Sequence, residues 1–337
     1  TTGFKAGMKF FLYYCNNSVI LAYKYSKVYL CKKNQKGGME IFDLGLAFVW
    51  EYDDGFIEML EQVLHRAGLT TYIIGYHNLE ETGELIAHKK LGFNFYLDRA
   101  WDVEESFEEL GKSVQRRKTI IFNPYKRVLH AIDKASMHLE FLTAGVDVPY
   151  SIIIPPRKEV EHIKLSVEDL AILGRPFIIK PCNTTGGGIG VVTGAETLSE
   201  VLHERLSNMG DKYILQEKVI PAVYDGRRAW FRSFWAFGKT IPVWWDDQTH
   251  IYNLLTMDEV SRFGLKKLFN ITRTIAHVTG LDFFSTELVV TENRKFIAID
   301  YVNDMCDMRL KSIHFDGVPD EVVKQIIINL SKMMIKM

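Results

Sequence analysis

Cysteine is scarce in this chain. Cys15, Cys31, Cys182 and Cys306 are the only four in 337 residues, and no two of them form a C-x-x-C pair. Zinc-ribbon and thioredoxin-type chemistry is therefore without its residues, and so few scattered thiols fit a reducing cytoplasmic setting. Long apolar runs are missing too: no stretch approaches the roughly 20 residues that span a bilayer, and the first residues do not read as a signal peptide. Neither sign of charge is in excess. Lys and Arg number 41 against 42 Asp and Glu, a formal net charge of −1, so nothing draws the chain as a whole to nucleic acid or an anionic membrane. Phosphate, if bound, must be met by a local site. Two familiar phosphate motifs are also lacking. No lysine follows the glycines at 186–188 as a Walker A loop requires, and Thr193 stands where a Rossmann fingerprint begun at Gly188 and Gly190 needs its third glycine.

What is present is ordinary globular material, 47% hydrophobic and 25% charged, enough for a sizeable core or for two to three subdomains. Residues 1–38 are rich in Lys, Tyr and Cys, with possible short strands at 9–12 and 19–22, and read as an extra hairpin or an upstream extension. From Ile41 to Phe122 strand and helix alternate, with strands at 47–50, 71–75 and 119–122. The helix between the first two, over 54–67, carries apolar Phe56, Leu60, Val63 and Leu64 and ends at Gly68. Such alternation predicts a small parallel sheet. A second helix is predicted over 126–144, buried through Val128, Leu129, Ile132, Leu139 and Leu142. Strands then follow at 176–180, 213–216, 229–237, 287–290 and 295–301, with helices at 197–208, 258–279 and 320–335.

The most telling segment runs Phe177-Ile178-Ile179-Lys180-Pro181-Cys182-Asn183-Thr184-Thr185-Gly186-Gly187-Gly188-Ile189-Gly190. A strand delivers Lys180 at its end, and a Thr/Gly loop follows. Glycine lets backbone N–H groups approach an anion closely, the lysine is a point charge for phosphate oxygens, and a loop of this kind can close over a nucleotide. A tight hairpin with an incidental lysine has the same pattern. Two other segments are weaker on their own. Lys134 follows Asp133 inside a helix, where lysines are commonly just solvated, and Tyr213-Ile214-Leu215-Gln216-Glu217-Lys218-Val219 runs a strand into a hinge that can offer backbone groups to an adenine edge. Glu287 and Asp300 open and close two strands joined by a turn near Asn293-Arg294, so both can face one pocket. Hard oxygen donors presented this way suit Mg²⁺ held together with phosphates. Solvated strand-end carboxylates are the plain alternative, and Asp282 competes as a ligand.

In this order the segments resemble the ATP-grasp superfamily of D-alanine–D-alanine ligase, glutathione synthetase and the RimK-like ligases. The matching pieces are Asn123-Pro124, the helix with Asp133-Lys134, Gly145 to Pro149, Lys180-Pro181 with its Gly-rich loop, the Gln216-Glu217 hinge and the paired-strand carboxylates. The resemblance implies an α/β fold built of α+β subdomains: an extension over 1–38, a pre-ATP-grasp parallel-sheet domain over 39–122, and an ATP-grasp domain over 123–337 with a lid at about 151–216. It implies that Lys134 and Lys180 contact phosphate, that Thr184, Thr185, Gly186, Gly187 and Gly188 cover it, that Gln216, Glu217, Lys218 and Val219 read adenine, and that Asp225 reaches the ribose. Glu287, Asp300 and Asn303 would hold Mg²⁺, one or two ions, with Mn²⁺ able to substitute. The family's E-x-N is stretched here to Asp300 and Asn303 with two residues between them. Either a bulge restores the geometry, or Tyr301 or Asp304 alters the metal shell. A family arginine corresponds to Arg227 by one count and to Arg232 by another, with Arg232 favoured.

The activity so implied is ATP- and Mg-dependent ligation. A small-molecule or peptide carboxylate is activated as an acyl phosphate for an amine or thiol acceptor, with Lys180, Arg232 and Arg309 as the catalytic cations. Arg309 reads equally as a surface ion-pair residue. An ATP-grasp kinase acting on a hydroxyl, or a module that only binds ATP, would share the nucleotide site. No nucleic-acid or membrane partner is implied. Trp244 and Trp245 read as core, and Cys182 and Cys306 as packing residues.

Overall fold

The computed structural model describes residues 11–15, 18–22, 34–36, 38–183 and 190–337, so the expectation of an extension over 1–38 lies largely outside it. Within that stretch β1 (Phe11–Cys15) and β2 (Ser18–Ala22) pair antiparallel, and β3 (Asn34–Lys36) pairs with the first residues of β4 (Met39–Phe48). β4 is longer than the 47–50 run predicted. Helix α1 (Asp54–Arg66) leads to β5 (Thr71–Ile74), α2 (Leu79–Ala87) to β6 (Leu91–Arg99), and α3 (Glu105–Gln115) to β7 (Ile120–Phe122). β5, β4, β6 and β7 lie side by side and parallel. Gly68, with φ +79°, ends α1: its N–H donates to His65 O and that of Leu69 to Leu64 O, the paired bonds that a left-handed glycine makes possible.

The single helix expected over 126–144 is two helices, α4 (Tyr125–Ile132) and α5 (Lys134–Thr143). Asp133 between them is extended, and its carboxylate accepts from the N–H groups of Ala135 and Ser136. That is an N-cap, and it restarts the helical phase. The predicted buried face is corrected accordingly: Leu129, Leu139 and Leu142 are exposed, while Val128, Ala131, Met137 and Phe141 are buried.

Next come β8 (Ser151–Ile154), α6 (Val167–Leu173), β9 (Phe177–Pro181), β10 (Val192–Ala195), α7 (Leu198–Ser207) and β11 (Tyr213–Glu217). Their strands form an antiparallel sheet in the order β10-β9-β11-β8. Its core is its own, formed by Ile154, Leu173, Phe177, Ile179, Val201, Tyr213 and Leu215.

β12 (Val223–Tyr224) and β13 (Arg227–Arg228) make a small hairpin. β14 (Trp230–Ala236), β15 (Lys239–Trp245), β16 (Tyr252–Asn253), α8 (Met257–Arg262), α9 (Lys267–Thr279), β17 (Phe283–Val290), β18 (Phe296–Asn303) and α10 (Asp320–Lys336) complete the chain. The helix expected over 258–279 is broken at Gly264, whose φ is +67°, a conformation that residues with a side chain avoid. Strand order is β16-β15-β14-β17-β18, all antiparallel.

This large sheet and the parallel sheet share one core. Leu44, Leu46, Phe95 and Leu97 of the parallel sheet, Phe56 and Leu60 of α1, Val323, Ile326 and Ile327 of α10, and Phe234, Ala236 and Val243 of the large sheet pack as one cluster. On the far side of the large sheet, α4, α5 and α9 cover Phe231, Trp244 and Leu288. On the far side of the parallel sheet, α2 and α3 cover Ala47, Ile74 and Ile121. Trp244 and Trp245 are core residues, as read.

Candidate functional site

Three adjacent strands place three charged side chains in one rung. Arg232 of β14 is opposite Glu287 of β17, which is opposite Asp300 of β18. The Glu287 carboxylate accepts from the Arg232 guanidinium and, at 3.0 Å, from Trp230 Nε1. The ladder between β17 and β18 slips twice around this rung: Ser285 faces Asn303, Glu287 faces Asp300, and Leu288 faces Ala298. In a regular strand Asp300 and Asn303, three positions apart, would point to opposite faces. The slippage brings them together, with Asn303 Nδ2 donating to Asp300 Oδ2 at 3.0 Å, and a bulge is the usual means of re-aiming a strand's side chains. The other two candidates for this shell are engaged elsewhere. Tyr301 is buried against Phe141, its hydroxyl 2.6 Å from His138 Nδ1. Asp304 accepts from Asn123 Nδ2 at 2.5 Å and from Trp101 Nε1 at 3.3 Å.

Lys180 enters from the other sheet. It is buried at the end of β9, and its Nζ donates to the carbonyl of Ile299, the neighbour of Asp300, at 3.1 Å. Burial pulls its ammonium below the usual lysine range and Lys134 adds to this, while Asp300 and Glu287 act the other way. Burial opposes the charge of Asp300, but Lys180, Lys134, the Asn303 bond and Arg232 outweigh it and hold the carboxyl below its ordinary value. Lys134 is the first residue of α5, where the Asp133 cap fixes it, and its backbone N–H donates to Cys182 O at 3.1 Å, two residues past Lys180. Asp133 also takes Lys212 Nζ at 2.5 Å. Two lysines and two carboxylates from four separate stretches of chain thus converge.

At the hinge, Gln216 is buried. Its Nε2 donates to Tyr301 OH at 3.3 Å, and its Oε1 has no partner among the described residues. The Glu217 carboxylate accepts from Tyr150 N at 2.8 Å, which ties the end of β11 to the start of β8. Lys218 and Val219 lie past the strand, with Val219 packed on Val289 and Ile297. Thr184, Thr185, Gly186, Gly187 and Gly188 lie outside the described residues.

Not every expected residue joins this group. Asp225 and Gly226, with φ of +50° and +76°, form the two-residue turn between β12 and β13; Asp-Gly is a preferred pair for it. The Asp225 carboxylate is ion-paired with Arg262 of α8 and half exposed. Arg227 is paired with Glu259 and lies 4.2 Å from the Trp244 ring centroid, toward the α9 side of the sheet; Arg228 is paired with Asp247. Of the two counts, then, it is Arg232 that stands beside Glu287. Arg309 is gripped by Asp307 at 2.8 and 2.9 Å and by Asp316 at 2.9 Å. Asp282 immediately precedes β17, beside Arg127 and five positions before Glu287. Cys182 and Cys306 are buried, and burial pushes both thiols up to about 12, which leaves neither as a ready thiolate.

The sequence reading missed the groups that support the rung. Arg99 at the end of β6 donates to both oxygens of Asp53, at 2.6 and 2.9 Å, and to Cys306 O at 3.0 Å. This buried pair anchors the loop after Asn303 to the parallel sheet. Trp245 supports Arg232, whose guanidinium lies 4.7 Å from its ring centroid. Burial opposes the Arg232 charge, yet the neighbouring Glu287 and Asp300 carboxylates keep the group ionised. A Trp-rich segment signalled aromatic packing, but nothing local to Asp53 or Arg99 signalled their pairing.

Among the described residues no three His, Cys, Asp or Glu side chains cluster as a metal site. The donors at hand are the carboxylates of Glu287 and Asp300 and the amide oxygen of Asn303. All are hard oxygens, and two carboxylates completed by phosphate oxygens is the set that Mg²⁺ accepts.

No family sequence model matches this chain, and neither does any curated protein sequence. Solved structures do. A RimK-domain ATP-grasp protein from Sphaerobacter thermophilus superposes with a TM-score of 0.58 at 15% identity, over 86% of this chain and 98% of its own. The ligase PsnB, in complex with a precursor peptide and AMPPNP, gives 0.57 at 12% identity over 87% and 97%. D-alanine–D-alanine ligase from Bacillus anthracis, in complex with ATP, gives 0.57 at 10% identity over 88% and 98%.

Proposed function

We propose that this chain, which has the ATP-grasp fold, is an ATP- and Mg-dependent ligase that activates a carboxylate as an acyl phosphate for an amine or thiol. The observation that carries the reading is the convergence of Lys180 with the Arg232–Glu287–Asp300 rung, cations and hard oxygen donors around one point. The structural neighbours support the general class, being ligases solved with ATP or AMPPNP.

In this reading the substrate carboxylate oxygen attacks the γ-phosphorus of ATP, a new O–P bond forms, and the bond to the β-phosphate oxygen breaks to release ADP. The acceptor nitrogen or sulfur then attacks the acyl carbon, phosphate leaves, and the acceptor gives up its proton. Lys180 and Lys134 neutralise phosphate oxygens; Arg232 holds the oxygens of the acyl phosphate, since a guanidinium suits paired contacts. Lys180, buried at a strand end and bonded to a main-chain carbonyl, is held in place before substrate arrives, which is what electrostatic catalysis requires. Glu287, Asp300 and Asn303 would hold Mg²⁺, which supplies charge neutralisation at the phosphates when bound. Gln216 Oε1, a buried acceptor without a partner among the described residues, is suited to the adenine amino group, and the Thr184–Gly188 loop to covering the phosphates.

A kinase for a multiply phosphorylated alcohol would need spare cations. Of the further arginines that the sequence offered for this, Arg227, Arg228 and Arg309 are each committed to carboxylates, which favours the ligase. The test is hydroxylamine trapping with Mg·ATP across a panel of small acids and acidic peptides. Hydroxamate together with ADP and phosphate is expected. Phosphoryl transfer to a hydroxyl compound without hydroxamate would establish the kinase instead, and no ATP turnover on either panel would leave a binding module.

A further inference from the structure

Asn123 directly follows β7 and precedes Pro124, the residue before α4. The proposed chemistry makes no use of it, yet it is buried and its side chain makes four hydrogen bonds. Oδ1 accepts from the N–H of Asp282 at 2.8 Å and from that of Phe283 at 3.1 Å. Nδ2 donates to Phe283 O and to Asp304 Oδ1, both at 2.5 Å. The two backbone N–H donors settle which end of the amide is the oxygen. All four partners belong to the two strands that carry Glu287 and Asp300, or to residues adjoining those strands.

The place of these bonds explains them. The last pair of the β17–β18 ladder is Ser285 with Asn303, and Phe283, two residues before Ser285, has no partner on β18. Phe283 is buried, and buried backbone N–H and C=O groups need partners. The Asn123 amide serves both, as one more strand residue would. It thereby closes the β17 edge at the position where β18 departs. It also holds Asp304, the residue after Asn303, whose other carboxylate oxygen takes Trp101 Nε1 at 3.3 Å. The ladder is thus stopped, and β18 is gripped just beyond its end.

The stop matters because this ladder is slipped. Asn303 lies beside Asp300 in the present pairing, and a one-residue shift sends a strand's side chains to the opposite face. Without the Asn123 side chain, the open N–H and C=O of Phe283 invite the residues after Asn303 to extend the ladder, and the pairing that aims Asn303 loses its fixed end. We propose that Asn123 is a positioning residue for the metal site: its amide ends the β17–β18 ladder at Ser285 and Asn303 and so keeps the Asn303 amide beside Asp300, where Mg²⁺ would take it. The inference rests on the metal shell of the ligase reading. It adds a residue that touches neither metal nor substrate and acts through Asn303.

The experiment measures ADP affinity by calorimetry on the full chain, in EDTA and at one fixed Mg²⁺ concentration. The ratio of the two affinities reports the hold of the protein on the metal through linkage. Wild type, N123A, N303A and N123A/N303A are compared. N123A should leave ADP affinity in EDTA unchanged and shrink the ratio roughly 10–100-fold, the usual cost of losing a partner that orients a metal ligand. N303A should shrink it as well, and adding N123A to N303A should change it less than about threefold, because both act on one ligand. A wild-type ratio in N123A would overturn the inference. So would equal factors in the two backgrounds, or an N303A that keeps the wild-type ratio. Loss of ADP affinity by the same factor with and without Mg²⁺ would overturn it too, since Asn123 would then be serving the fold alone. Should N123A fail to fold, D304A is read in its place against the same N303A background. It breaks only the grip on Asp304 and keeps the bonds to β17, and the same ratios support or overturn the inference. A wild type whose ADP binding does not respond to Mg²⁺ would refute the metal shell of the ligase reading itself, a failure seen without any variant.

Discussion

Replacing Arg99 by methionine isolates the buried pair that anchors the end of β18. Arg99 and Asp53 are 6% and 1% exposed, so neither charge can turn to water if its partner goes. Breaking such a pair by removing one member costs about 3–5 kcal/mol, most of it the penalty of a stranded charge. The carbonyl of Cys306 also loses its donor, worth about 1 kcal/mol. The expected loss of about 4–6 kcal/mol is a large share of a typical stability of ~5–15 kcal/mol. Removing both charges with R99M/D53L replaces the pair by apolar groups and should return the protein to within about 2 kcal/mol of wild type. Urea unfolding of the wild type, both single variants and the double variant closes the cycle, and a coupling of at least ~2 kcal/mol is expected. If R99M costs less than ~1 kcal/mol, or if the double variant is no more stable than R99M, then this pair does not carry the connection between the parallel sheet and the strand end that bears Asn303.

Lys180→Met keeps length and removes charge; turnover should fall roughly 10²–10³-fold with the fold retained, and near-normal kcat would remove Lys180 from the site. Asp133→Ala deletes the cap of α5 and should cost ~1 kcal/mol of stability while raising KM for ATP, because Lys134 loses its fixed start; unchanged KM would mean that Lys134 does not reach the nucleotide. Asp98 is pushed up to about 6 by burial, despite donors at Tyr125, Ala100, Trp101 and Tyr96. A carboxyl raised in the folded state holds a proton that the unfolded chain releases near pH 4, so its contribution to stability falls as pH rises from about 4 to 6. Asp98→Asn should therefore flatten the unfolding free energy over that window, and an unaltered slope between wild type and variant would place the titration elsewhere.

Much of the candidate site's arrangement was legible because it is carried by local patterns. A strand delivering a lysine near its end, and two paired strands each carrying a carboxylate, though within the strands and not at the ends expected, each show in a handful of consecutive residues. What could not be read was how separate stretches correct one another. The period of apolar residues from Val128 to Leu142 looked continuous, but Asp133 has a carboxylate that can turn back onto the next turn's N–H groups, and that local bond outweighs propensity. Gly264 interrupts α8–α9 differently, through its left-handed backbone. The two-residue gap between Asp300 and Asn303 looked like a departure from the family pattern. The slipped ladder absorbs it, and slippage depends on the partner strand, not on the residues themselves. Arg99 and Asp53 are 46 positions apart, and Asn123 is far along the chain from Asp304; only the fold makes such pairs neighbours.

The apolar layer common to the parallel sheet, α1, α10 and the large antiparallel sheet has a bearing on how this molecule can be divided. Neither sheet has a finished inner surface of its own, so a fragment starting near Asn123 would present Phe234, Ala236 and Val243 to solvent and, with α10, an adhesive face. The β8–β11 sheet, by contrast, closes on its own apolar side chains and is attached at its ends. For grafting between related proteins, the natural units are accordingly that sheet as one exchangeable module and everything around it as a single indivisible chassis.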